Sequence, residues 1–241
     1  MCRHIAHLGR PTSLSALLLD PPHGLLHQSY APRRQRNGRM NADGFGVGWW
    51  VDGVVARYRR DRPLWSEASL PSFGPTVRSG CVLAAVRSAS AGMPGGEAAC
   101  APFLLAGRVL LSHNGFVPEV GEALGDLVSS CELASIASTV DSAFVGALVQ
   151  QRLAAGAPLG QALAQTVRLV VDRVPGARLN LLAADGQELA ATRCGDTLVV
   201  RAGAGGIVVA SEPGDDEPGW QDVPEHSLVT ATGDGVAVTT L

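Results

Sequence analysis

The stretch Leu159-Gly160-Gln161-Ala162-Leu163-Ala164-Gln165-Thr166-Val167-Arg168-Leu169-Val170-Val171-Asp172-Arg173-Val174 decides the fold class. Its apolar residues Leu159, Leu163, Val167, Val170 and Val174 fall on one helical stripe. Two segments before it carry the same spacing, from Glu119 to Cys131 and from Asp141 to Leu153, where Phe144 and Leu148 share a face. Outward from this block the period changes. Toward the N-terminus, Phe45 to Trp50 and Val54 to Tyr58 are β-rich runs joined by Asp52-Gly53, a two-residue hairpin signal. Cys81 to Val86 and Val109 to Ser112 are nearly continuous apolar runs, as in sheets covered on both faces. Toward the C-terminus strands return at Leu179 to Ala184, Glu188 to Arg193, Thr197 to Arg201, Ile207 to Ala210, Ser227 to Thr232 and Val236 to Thr239. Strands, a helical block and strands again predict an α+β fold, with two mostly antiparallel sheets packed face to face and helices outside. Thr12-Ser13 before Leu14, Leu17 and Leu18 predicts a capped short helix stopped by Pro21-Pro22. Arg33 to Arg39 reads as a solvated loop, and Glu212 to Glu225 as an acidic one.

With 241 residues and 46% hydrophobic content, the chain can bury one sizeable core, and residues 1–241 read as a single domain without repeat or linker. A formal charge of -3 gives no electrostatic reason to expect nucleic acid or an anionic membrane as partner. All 19 basic residues are arginine. Schiff-base catalysis and a P-loop both need the missing lysine amine, so neither chemistry is open to this chain. The five cysteines, Cys2, Cys81, Cys100, Cys131 and Cys194, form no Cys-x-x-Cys pair and no disulfide framework; beyond Cys2 they are expected in the core. No apolar signal-peptide segment and no run near the ~18 residues of a membrane span is present. The expectation is a cytoplasmic, reduced protein in which Cys2 is a free thiol.

Cys2 follows the initiator methionine, and removal of Met1 would leave one residue carrying both a thiol and an α-amine. A terminal amine, with a pKa of roughly 7.7 to 8.0, can act as base for the adjacent nucleophile. Four further segments bear chemistry. Arg87, at a strand end before the small, polar turn Ser88-Ala89-Ser90-Ala91-Gly92, can hold a carboxylate bidentately with loop hydroxyls and amides completing the grip; an ordinary salt bridge is the alternative. Ser112-His113-Asn114-Gly115 follows an apolar strand. Asn-Gly is first a turn signal, yet an Asn amide and the next backbone N–H can also form an oxyanion hole. Asp141 opens a helix, as a cap or as acceptor for a substrate ammonium. The fourth segment is Met40-Asn41-Ala42-Asp43-Gly44-Phe45-Gly46-Val47-Gly48, where glycines permit close backbone approach on the way into a strand.

The order of these pieces, terminal Cys, Asp-Gly-x-Gly, Arg, Asn-Gly, then Asp, resembles the class II glutamine amidotransferases of the N-terminal nucleophile (Ntn) hydrolase superfamily. The motifs run from Cys2 to Asp141, and the resemblance implies a four-layer αββα sandwich over the whole chain. It implies Cys2 as nucleophile with its amine as base, and Asn114 and Gly115 as oxyanion hole. It further implies Arg87 on the α-carboxylate of a γ-glutamyl group and Asp141 on its α-ammonium, with Ser88, Ser90 and His113 around the substrate. No metal or organic cofactor is implied. Two departures stand out. The bulky residues that many members carry after the arginine are replaced by Ser88-Ala89-Ser90-Ala91-Gly92, which trims the pocket toward a large leaving group. Met40 stands where many members have an arginine, with Arg39 beside it. Residues 1 to 9, the Asn41 to Trp49 stretch and Ser211-Glu212-Pro213 look like the branch of the family that acts as hydrolases in ergothioneine biosynthesis. That branch removes glutamate from a γ-glutamyl sulfoxide, and the length leaves nothing for a synthase domain. Two other readings are a glutaminase subunit feeding ammonia to a separate synthase, and a non-enzymatic module with Cys2, His4 and His7 as metal ligands. Against the latter, His4 and His7 in a strand-like run point to opposite faces.

Overall fold

A computed structural model of the chain describes residues 2–90 and 92–241. Met1, whose removal would free the Cys2 amine, and Ala91 of the trimmed turn lie outside the described residues. The N-terminal half contributes β1 (Arg3–Ser13), α1 (Leu14–Leu18), α2 (Leu25–Tyr30), β2 (Phe45–Val51), β3 (Val54–Arg60), α3 (Leu70–Phe73), β4 (Arg78–Val86), β5 (Phe103–Leu105) and β6 (Val109–Phe116). The helical block is α4 (Val120–Leu124), α5 (Ser130–Ile136), α6 (Asp141–Ala154) and α7 (Leu159–Arg173). The strands that follow are β7 (Arg178–Ala184), β8 (Leu189–Arg193), β9 (Val199–Gly203), β10 (Gly206–Ala210), β11 (Gln221–Asp222), β12 (Ser227–Thr232) and β13 (Gly235–Thr240).

The strands form two antiparallel sheets, ordered β11-β9-β10-β1-β4-β2-β3 and β13-β12-β8-β7-β6-β5. Alternation along the strands divides their side chains between an inter-sheet core and two outer cores. Ala6, Leu8 and Leu83 of the first sheet meet Leu110 and Leu182 of the second between the layers. Leu111, Leu179 and Leu181 face outward onto Phe144, Leu148, Leu163 and Val167 of α6 and α7. Ile5, Val82 and Ala84 face the other way, onto Leu14, Leu17 and Leu25 of α1 and α2. The αββα sandwich is therefore present, and the stripe from Leu159 to Val170 is the buried face of α7.

Local chemistry explains the boundaries. Ser13 Oγ accepts from Ala16 N and caps α1. Asp52 and Gly53 both take positive φ (50° and 78°), the geometry that a two-residue hairpin between β2 and β3 demands. Two expectations need correction. The segment from Glu119 to Cys131 is not one helix: α4 ends at Gly125, and Ser129 starts α5 through a capping box with Glu132. Asn114-Gly115 is not a turn after a strand but continues β6, paired with Asn180 and Leu179 of β7. No single helix among the described residues is long and apolar enough to cross a membrane.

Candidate active site

Cys2 enters β1, the strand between β10 and β4 in the first sheet, and β6 lies between β7 and β5 in the second. Register places Arg3 opposite Val86, so Cys2 begins beside the Arg87 end of β4. A narrow cleft opens there, lined by Cys2, Arg87, Ser88, Ser90, His113, Gly115 and Asp141. Seven of the eight residues singled out from the sequence thus share one wall. The eighth, Asn114, is fully buried, and neither its Nδ2 nor its Oδ1 has a hydrogen-bond partner among the described residues.

Each side chain is held by its neighbours. Arg87 N donates to Gly44 O (2.7 Å), Asp43 N to Arg87 O (3.0 Å) and Ala89 N to Asp43 Oδ2 (2.8 Å), so the Asp43-Gly44 stretch fixes the turn after β4. The Arg87 guanidinium donates through Nη2 to Pro94 O (2.7 Å). Asp141 accepts from Val117 N at Oδ2 (3.1 Å) and from Ser142 N at Oδ1 (2.7 Å), which ties the start of α6 to the end of β6. His113 Nε2 lies 2.9 Å from Arg178 O and so donates; Nδ1 lies 3.1 Å from Ser142 Oγ, whose hydroxyl can donate to a neutral ring. A Cβ at Gly115 would collide with Arg178 O and His113 Nε2, so any larger residue here would force β7 or the His113 ring to shift.

Electrostatics around Cys2 oppose one another. Burial pushes the thiol up from its ordinary value, while a hydrogen bond from the Ser88 main chain and the Arg87 charge pull it down. His4, two residues on, packs between the sheets with Nδ1 3.2 Å from Ser112 Oγ; burial, with the nearby Arg3 charge, lowers its pKa to about 3. His7 turns to the opposite face, its Nε2 2.9 Å from Arg10 O. Cys2, His4 and His7 therefore do not converge as a metal set, as the strand spacing required.

A group of buried charges beneath this site escaped the sequence reading. Arg3, Glu212 and Asp196 are each at most 1% exposed. Arg3 Nε is 3.8 Å from Glu212 Oε2, and Asp196, whose pKa burial raises, lies 3.6 Å from Arg178 Nε. Asn180, opposite Asn114 in the ladder, orders the Asp196 turn by donating to Asp196 O (2.9 Å) and accepting from Cys194 N and Asp196 N. Only the family resemblance of residues 1 to 9 and of Ser211-Glu212-Pro213 touched Arg3 and Glu212, and nothing marked Asp196. Arg39 is exposed and makes no ion pair among the described residues, so nothing there ties it to Cys2. One expectation for the cysteines also fails: Cys131 is exposed on α5, whereas Cys81, Cys100 and Cys194 are buried.

No protein-family model matches the sequence. The gamma-glutamyl-hercynylcysteine sulfoxide hydrolase of Mycolicibacterium smegmatis is 52% identical over 242 residues, covering 100% of both chains. The protein of the same name from Mycobacterium tuberculosis strain H37Rv is 46% identical over 242 residues, 100% of this chain and 97% of that one. Among solved structures, the glutamine aminotransferase class-II domain protein of Silicibacter pomeroyi matches with a TM-score of 0.68 over 100% of this chain and 99% of its own, at 23% identity, a likeness of fold. Full-length identity of this order, on the class II amidotransferase fold, makes the chain an amidohydrolase that belongs to the gamma-glutamyl-hercynylcysteine sulfoxide hydrolase family.

Proposed function

We propose that the protein hydrolyses the γ-glutamyl amide bond of γ-glutamyl-hercynylcysteine sulfoxide, with Cys2 as an N-terminal nucleophile once Met1 is removed. Arg87, with Ser88 and Ser90, takes the α-carboxylate of the glutamyl group, Asp141 takes its α-ammonium, and His113 packs behind them. The Cys2 thiol gives its proton to the terminal amine as its sulfur attacks the γ-carbonyl carbon. The resulting oxyanion receives hydrogen bonds from the Asn114 amide and the Gly115 N–H. The C–N bond breaks as the leaving amine takes a proton from the terminal ammonium, leaving a thioester. Water, giving a proton to the terminal amine, attacks the thioester and releases glutamate and the thiol. The scheme uses no metal or organic cofactor, and a reducing compartment such as the cytoplasm would keep Cys2 a thiol.

The observation that carries this reading is convergence. Residues 2, 87, 115 and 141 come from four distant segments and line one cleft, with a buried, unpartnered Asn114 amide behind it. The relatives' names favour this hydrolysis over a glutaminase subunit feeding a synthase. The test is glutamate release from the γ-glutamyl sulfoxide. Cys2→Ala, and any tag retained before Cys2, should abolish turnover while circular dichroism and melting stay those of the wild type. Full activity in a tagged protein, or free glutamine turned over as well as the sulfoxide, would refute it.

A further inference from the structure

The arginine-rich segment from Arg33 to Arg39 is anchored far more firmly than a solvated loop requires. Glu212 is fully buried, and its two carboxylate oxygens accept the backbone N–H groups of Arg33 (2.8 Å) and Arg34 (2.7 Å). A buried carboxylate is costly unless it is paired and hydrogen-bonded, so this one is committed to holding the segment. On its other side lies Arg3, fully buried and next in sequence to Cys2, with Nε 3.8 Å from Glu212 Oε2. One carboxylate thus joins the foot of the segment to the strand that presents Cys2. The Arg33 and Arg34 guanidinium groups are taken up by Asp216 (2.7 Å) and Asp222 (2.6 Å).

Beyond these anchors the chain comes up to the edge of the cleft at Gly38. A Cβ placed on Gly38 would lie 3.9 Å from the Oγ of Ser88, a cleft residue. Gly38 therefore lies against the Ser88 rim of the site. Arg36 and Arg39 are exposed and form no ion pair among the described residues.

We propose that Glu212 is a specificity-determining positioning residue, which holds this segment as a strap at the cleft mouth so that Arg36 and Arg39 receive a carboxylate on the amine half of the substrate. The inference rests on the γ-glutamyl hydrolase reading and deepens it. In a γ-glutamylcysteine-type amide, the carbon attached to the scissile nitrogen bears a carboxylate. Arg87 is already assigned to the glutamyl carboxylate, so the second one needs its own cation. The chain has no lysine, and a guanidinium fork suits a carboxylate bidentately.

The test compares the processed full-length wild type, Glu212→Gln and the Arg36→Ala/Arg39→Ala double variant on two substrates. One is a γ-glutamyl-S-alkylcysteine, whose amine half carries a carboxylate; the other is γ-glutamylethylamide, whose amine half does not. In each variant the ratio of kcat/KM for the first over the second should fall at least about tenfold, through KM, the loss expected for one charge-assisted hydrogen bond. Equal losses on both substrates, or no loss on either, would overturn the proposal. The double variant alters exposed positions only and decides the question if Glu212→Gln does not fold. A wild type inert on both substrates and on γ-glutamyl-hercynylcysteine sulfoxide would overturn the parent reading and this proposal with it; one active only on the sulfoxide and the S-alkylcysteine compound supports the proposal.

Discussion

An amide side chain sealed from water without a hydrogen-bond partner costs about 1–3 kcal/mol per polar group, and Asn114 finds no partner among the described residues at either Nδ2 or Oδ1. Such a cost makes sense where a developing negative charge is to be met, because the donor is then already in place. Asn114→Leu, which fills similar space without polar atoms, should lower the glutamate-release rate by roughly 10² to 10³ while leaving thermal stability equal or higher. Near-normal turnover would remove Asn114 from the oxyanion hole. His4 shows the same burial from another side. Its pKa, held at about 3 by burial and by Arg3, lies below the 6.5 of an unfolded histidine, so the unfolded chain binds the extra proton. This contribution is fully present above pH 6.5 and is lost as pH falls toward 3. Urea unfolding of the wild type should lose about 3 kcal/mol between pH 7 and pH 4 from this group, and His4→Gln should lack that loss. A parallel decline in both proteins would show that His4 titrates normally.

At the scale of elements, β6 brings the active-site residues together. His113 faces the helices, Asn114 the inter-sheet space, and Gly115 sits where any Cβ would strike β7 and the His113 ring. The Asn-Gly pair reads as a turn by local chemistry, since both residues tolerate positive φ. Pairing with Asn180 and Leu179 overrides that preference, because a ladder hydrogen bond and burial outweigh a local turn tendency. The helical block shows the reverse, for Ser129 and Glu132 break the apolar periodicity by capping. Two glycine substitutions separate these contexts. Gly115→Ala should cost about 1–3 kcal/mol and depress turnover with it. Gly121→Ala in α4, where an added Cβ meets nothing within 4 Å, should instead stabilise by about 0.5–1 kcal/mol and leave turnover alone. Chemical denaturation and glutamate release, measured on both variants, check the contrast. Equal effects would mean that the tight approach of β7 is not real.

The molecule as a whole sorts its five thiols by depth. Cys81, Cys100 and Cys194 are buried, and burial pushes the first two up to about 12 and about 11. Cys131 is exposed and Cys2 is partly so. A disulfide reagent at neutral pH should therefore titrate no more than two thiols in the native protein and all five in denaturant; three or more native thiols would contradict the packing. The sequence by itself determined the two sheets and the helical block, because periods of about 2 and 3.6 residues report which face of an element is buried. It also pointed to the cleft, since Cys2, Arg87, Gly115 and Asp141, singled out from their motifs, line it. Tertiary structure alone decided that Asn114 lies in a strand and that the arginine-rich loop is clamped. It alone showed that Arg3, Glu212 and Asp196 are buried beneath the site. The reason is physical: periodicity records local burial, whereas a charged side chain leaves water only when a partner distant in sequence arrives to hold it, as Glu212 meets Arg33 and Arg34 across about 180 residues.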